Sequence, residues 1–253
     1  MFKFPFYEPD VRIEDLPGEE FEVECLDAQS AFVLLEVGAE NEFSFYDYPK
    51  ETDDNRLVLT GSYKIKVEQR IRLDDFEMLG IKAFYAEVGS EYPIVPEASW
   101  NRIINEGYLK DTLEIEEPGN RKWIYKAGAK SPEVKLFKPG LRANGQEPMF
   151  TTGEAPETIS QWVLEVFGAA RVFIGPKSYR CLRFLWAFKD QEKPTMAEQY
   201  IADTGRTVYF RRYNGPGWGN YENLAGHPEV EFAGIIWRHW YNCLPDHALV
   251  IGV

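Results

Sequence analysis

Residues 61–81 read GSYKIKVEQRIRLDDFEMLGI, and their reading decides the fold. Tyr63, Ile65 and Val67 alternate with Lys64, Lys66 and Glu68, the period of a strand with one covered and one wetted face. After Asp74–Asp75 the pattern resumes in FEMLGIKAFYAEV (76–88), where Gly80 marks a candidate bulge. The same order of residue types returns in GAARVFIGPKSYRCLRF (168–184). Gly61, Lys64, Ile65, Val67, Phe76, Leu79 and Ile81 are matched by Gly168, Arg171, Val172, Ile174, Tyr179, Leu182 and Phe184, with a turn four residues shorter. An internal duplication and two generic amphipathic hairpins both produce such a match.

Working outward, FVLLEVGAENEFSFYDY (32–48) reads as strand, turn and strand, with Phe43, Phe45 and Asp47 on one face and Ser44, Tyr46 and Tyr48 on the other. Gly175–Pro176 and Asp203-Thr204-Gly205 supply hairpin turns, the second leading into GRTVYFRRYN (205–214). One stretch favours helix. In VPEASWNRIINEGYLK, Pro96 and Glu97 suit a first turn, Trp100, Ile103 and Ile104 share a face, and Gly107 ends it, so a short helix is expected near 96–106. Ile159, Trp162, Val163 and Val166 also fit helical spacing, as do Phe232, Ile235, Ile236, His239, Trp240 and Cys243, although strands are preferred at both places.

The expected fold class is mainly β, with α+β as the alternative. Antiparallel sheets are built from hairpins, with one or two short helices and two similar halves as one reading. The halves would be an acidic N-terminal region, 1–127, and a C-terminal region, 157–253, in separate domains or one. The Gly/Pro-rich segment 128–156 connects them and holds at most one short strand.

Of 253 residues, 44% are hydrophobic and 15% aromatic, enough for a packed core. The net charge of −13 is local. Residues 1–60 carry sixteen acids against four bases, and the rest carries 25 against 24. That balance argues against binding nucleic acid or an anionic membrane, both of which call for clustered cations. The exception is the run Arg121, Lys122, Lys126, Lys130, Lys135, Lys138 and Arg142, with Glu133 its one acid. It reads as a solvated face or as a contact for an anion or for the acidic N-terminal region. No stretch approaches the roughly 20 apolar residues of a membrane-spanning helix. Cys25, Cys181 and Cys243 are few, odd in number and far apart, which suggests reduced thiols and a cytoplasmic location.

Phosphate-loop, dinucleotide, nucleophile-elbow and H-E-x-x-H signatures are absent. Paired carboxylates such as Asp53/Asp54 and Asp74/Asp75 read as acidic turns. In GRTVYFRRYNGPGWGNY (205–221), Arg206, Arg211 and Arg212 could receive a carboxylate or phosphate. Trp218 and Tyr221 offer flat faces to a planar ligand or sugar. His239, Cys243 and His247 are chemically suited to zinc, but their spacing matches no closed motif and Pro245 interrupts a helix there, so no cofactor is expected. The leading functional expectation is a non-enzymatic ligand-binding or interaction domain for a small molecule or a protein. A metal-assisted hydrolase using the His/Cys group and a structural subunit of a complex are the alternatives.

Overall fold

The computed structural model describes residues 8–19, 21–24, 36–47, 57–73, 76–103, 113–117, 121–125, 136–140, 142–148, 159–188, 195–213, 229–232, 235–238 and 247–251. Among them there is no helix, and seventeen strands follow in order. They are β1 (Val11–Asp15), β2 (Val23–Glu24), β3 (Glu40–Asp47), β4 (Val58–Leu73), β5 (Phe76–Glu87), β6 (Ala98–Ile103), β7 (Leu113–Glu117), β8 (Arg121–Tyr125) and β9 (Leu136–Phe137). Then come β10 (Arg142–Pro148), β11 (Ile159–Ile174), β12 (Lys177–Phe188), β13 (Thr195–Ala202), β14 (Thr207–Tyr213), β15 (Glu229–Phe232), β16 (Ile235–Arg238) and β17 (His247–Ile251).

Eleven strands form one antiparallel sheet in the order β1-β11-β12-β13-β14-β17-β3-β4-β5-β6, with β10 beside the first half of β11. The last strand, β17, joins the two parts of the chain by pairing β14 on one side and β3 on the other. β2–β9, β7–β8 and β15–β16 are separate two-stranded ribbons. The mainly β, antiparallel, hairpin-built expectation is what the chain adopts. The expected helix near 96–106 is not. Residues 98–103 extend β5 outward, with Met78 opposite Ile103 and Ala83 opposite Ala98. A helix of that length needs packing to persist, whereas the bare edge of β5 supplies a ladder, entered by the Glu97 N–H donating to the Ala83 carbonyl. The 128–156 segment also differs from expectation. It holds β9 and the seven-residue β10, whose closing Pro148 is tolerated on a strand that pairs on one side among the described residues.

The resemblance within the chain is real in space but lies in another register. β4 and β5 span 58–73 and 76–87, and β11 and β12 span 159–174 and 177–188, each bound 101 residues later. Pairings follow the same shift. Gly61↔Glu87 becomes Trp162↔Phe188, Leu73↔Phe76 becomes Ile174↔Lys177, and Asp47↔Val58 becomes Pro148↔Ile159. Each hairpin has one bulge, at Glu68 and at Phe167. Matching Gly61 to Gly168 is therefore six residues out of frame, and Gly61 corresponds to Trp162.

Alternate residues of the central strands feed two cores. One face holds Tyr46, Ala170, Val172, Cys181, Tyr200, Tyr209, Ala248 and Val250, with Val11 and Ile13 of β1 packed on it. The other holds Phe43, Ala197, Phe210 and Leu249, continued through Tyr63 to Ile65, Val67, Leu79 and Ile81. Thr207, Val208, Tyr209 and Phe210 are consecutive and all buried, so β14 is a central strand. The Asp203-Thr204-Gly205 turn forms as expected. Gly205 has φ 82°, and its N–H donates to the Ala202 carbonyl. The sheet curls far enough for the Glu8 N–H to reach the Leu57 carbonyl, beside the start of β4.

Candidate functional site

Two rows of register partners cross the first face. One runs Leu185, Glu198, Arg211, Ala248, Tyr46, and the next runs Arg183, Tyr200, Tyr209, Val250. Two arginines and a glutamate thus stand among apolar neighbours, and a fourth charge arrives from the far end of the chain. Glu8, just before β1, receives hydrogen bonds from the Arg211 guanidinium at both carboxylate oxygens, 2.6 Å to Oε2 and 3.1 Å from Nε to Oε1. The Tyr209 hydroxyl donates to the same Oε1 at 2.8 Å. Arg183 Nε donates to Glu198 Oε1 at 2.8 Å, and the Tyr200 hydroxyl donates to that oxygen too. Tyr200 and Tyr209 stack at 5.8 Å between the two pairs.

The charges sum to zero, which is how a strand face tolerates four of them under partial burial. The Glu198 side chain is 7% exposed and Arg183 14%, so that pair is nearly dry. Arg211 is 33% exposed against 10% for Glu8, so the second pair opens to solvent on its cationic side. Burial pushes the Tyr46 hydroxyl above its ordinary range, and the Glu8 carboxylate adds to that. Burial also drives up the Cys181 thiol, with Asp203 contributing, so this cysteine is held as a neutral, apolar filler. On the opposite face, burial and then the charge of Glu97 raise the Tyr63 hydroxyl to about 12.

The three arginines expected to act together are dispersed. Arg211 belongs to the first face. Arg212, its neighbour in an extended strand, lies on the second, in register with Ala197 and His247. Arg206 sits at the β13–β14 turn, half-buried, its carbonyl accepting the Ala202 N–H. Trp218, Tyr221, His239 and Cys243 lie outside the described residues. His247 opens β17 opposite Arg212 and Asp47. Among the described residues no three His, Cys, Asp or Glu side chains gather to hold a metal.

Glu8, Arg183, Glu198, Tyr200 and Tyr209 were not singled out by sequence. Glu198 had a usable signal: a charge and then an amide inside MAEQYIA, a run otherwise fit for a core strand, where a carboxylate must be paired. Glu8 had none, since its partners are 201 and 203 residues away. The partner of the acidic N-terminal segment is in part the chain itself. Besides Glu8–Arg211, Glu19 pairs with Arg180 at 2.9 Å.

No protein-family model matches the chain, and no curated protein matches it in sequence. Two solved structures resemble it. One, a "putative exported protein with YmcC-like fold" from Bacteroides fragilis, gives a TM-score of 0.39 at 9% identity, covering 85% of this chain and 94% of that one. The other, a "putative lipoprotein" from Parabacteroides distasonis, gives 0.40 at 9% identity, covering 90% and 97%. Likeness at this level assigns no activity. The cytoplasmic location expected from the cysteines is not sustained, and the neighbours' own names, an exported protein and a lipoprotein, run against it. Three scattered cysteines need no disulfide in either compartment, so their number never separated the two.

Proposed function

We propose that the chain is a non-enzymatic binding domain whose small-molecule ligand presents a carboxylate to Arg211. The observation that carries this reading is the two-point grip of Arg211 on Glu8, with the Arg211 side chain a third exposed. A planar fork that already holds one carboxylate has the geometry to hold another. The Tyr209 hydroxyl adds a third donor to the same position. Glu8 then acts as the resident group that a ligand replaces, and the hydrogen-bonded Arg183–Glu198 pair fixes the floor beneath it.

Native mass spectrometry of the protein as purified, with a denatured control for bare mass, tests the reading. The expected result is a retained organic mass that rises in occupancy in Glu8→Gln and disappears in Arg211→Met. A bare mass for both wild type and Glu8→Gln overturns it. An excess equal to zinc would instead favour metal-assisted hydrolysis and direct mutagenesis to His239, Cys243 and His247.

A further inference from the structure

Residues 8–19 deliver Glu8 to Arg211, and they lie on the first face without entering its core. Among the described residues β1 pairs β11 alone, from Val11 opposite Ile174 to Asp15 opposite Ala170. None of residues 8–19 is fully buried. Glu8 comes nearest, its side chain 10% exposed, and Val11, Ile13 and Leu16 are half-covered. β17 is a strand of equal length, yet its Ala248, Leu249 and Val250 are all buried between two neighbouring strands. The cost of local opening follows buried apolar contact, so β1 detaches at a lower cost than β17.

The segment is fastened at both ends. At the front, the Glu8 N–H donates to the Leu57 carbonyl at 2.9 Å, and its carboxylate accepts from Arg211 and Tyr209. At the back, the Leu16 N–H donates to the Ala169 carbonyl at 2.9 Å, and Glu19 pairs with Arg180. A turn lies between, with Gly18 at φ 77° and the Glu19 N–H donating to the Leu16 carbonyl. Only the front anchor uses groups that a bound carboxylate would also use. We propose that residues 8–15 form a strap that competes with the ligand for Arg211 and leaves the sheet, pivoting at 16–19, when the ligand binds. This rests on the reading of Arg211 as the carboxylate site. A ligand carboxylate takes the donors of Glu8, and the displaced Glu8 carries its N–H away from Leu57. β1 then keeps a single ladder and two half-covered aliphatic side chains, with no forward tether. The ligand binds more weakly the more firmly the strap holds, because only the released state is competent. Release bares the β11 edge at 170–174 and the core positions Val172 and Ile174, so binding at Arg211 alters a surface beyond the site.

Hydrogen exchange of the full chain, read by mass spectrometry, tests the strap, with sodium acetate as the probe against sodium chloride at equal ionic strength. In the wild type the amides of 10–15 should exchange about tenfold faster in acetate, while those of 248–250 stay unchanged. In Glu8→Gln the amides of 10–15 should exchange fast in both salts. In Arg211→Met they should be fast and insensitive to acetate. The Arg211 side-chain Nε resonance reports acetate binding independently. Acetate bound at Arg211 with 10–15 still protected overturns the strap and leaves the carboxylate site standing. Full protection of 10–15 in Glu8→Gln overturns the strap too. Failure of Glu8→Gln to bind acetate overturns the carboxylate site, and the ligand-driven strap falls with it.

Discussion

β5 carries Lys82 and β12 carries Arg183, 101 residues later, but Lys82 pairs with Lys66 and Arg183 with Gly168, because the two bulges fall at positions that do not correspond. Both cations touch the bulged residue of their hairpin. Lys82 lies 2.5 Å from Glu68, and Arg183 lies 5.8 Å over the Phe167 ring. Their surroundings differ. Lys82 and Glu68 are 37% and 33% exposed, an ion pair in water. Arg183 turns to Glu198 on the next strand, and that pair is almost sealed. Two hairpins with the same ends thus hold a wet pair in the N-terminal half and a dry charged pair in the C-terminal half. Matching strand ends do not fix what the side chains between them do, and of the two hairpins the second alone carries a residue of the candidate site.

The largest difference between the two hairpins is expected on removing the two acids. Glu198→Ala removes the covered carboxylate to which both Arg183 and the Tyr200 hydroxyl donate, so it should cost about 3 to 4 kcal/mol. Glu68→Ala removes an exposed pair and should cost well under 1 kcal/mol. Urea denaturation of both variants, read as midpoint at constant slope, settles it. Equal costs would mean that the second layer is no drier than the first.

A smaller effect separates two glycines that sequence placed together. A Cβ on Gly61 would lie 2.3 Å from the Ala86 carbonyl and 2.8 Å from the Tyr85 ring. That ring is fixed edge-on to Phe45 at 5.5 Å, and its hydroxyl donates to the Thr60 carbonyl, so it has little room to yield. Gly61→Ala should therefore cost about 2 to 3 kcal/mol. Gly168 meets nothing within 4 Å, so Gly168→Ala should stay within about 0.5 kcal/mol of wild type. Thermal melting of the two proteins distinguishes them, and a matched loss would restore the sequence alignment of Gly61 with Gly168.

That misalignment shows what was legible. Strands with a two-residue period, and turns whose glycine adopts positive φ such as Gly175 and Gly205, declare themselves locally. Both long hairpins and the β13–β14 turn were accordingly readable. The repeat was visible too, but glycine was its anchor, and a glycine needed for close approach looks like one that is merely allowed. Residues 96–106 misled for a related reason. Pro, Glu and spaced apolar residues suit a helix start, but the open edge of β5 decided the matter, and that edge is a tertiary fact. In the candidate site Arg211 was legible as a cation in a strand. Its separation from Arg212 follows from strand alternation, but its engagement by Glu8 required knowing how the sheet curls.

One pair of partners on each hairpin differs in how its bulk is divided. Gln69 faces Gly80 on β4–β5, and the equivalent Ala170 faces Cys181 on β11–β12. A large residue opposite none has been exchanged for two small ones. A Cβ on Gly80 would fall 2.8 Å from Gln69 Cγ, but Gln69 is exposed and flexible, so the clash is cheaper than at Gly61. Gly80→Cys alone should cost about 1 kcal/mol. Adding Gln69→Ala rebuilds the C-terminal pair inside the N-terminal half and should recover most of the loss. The coupling expected between the two sites is at least about 0.5 kcal/mol, measured by a double-mutant cycle in urea. Additive losses would show that the Gln69 side chain already moves aside unaided. The two hairpins would then match in register while this exchange of large for small did nothing to hold either of them.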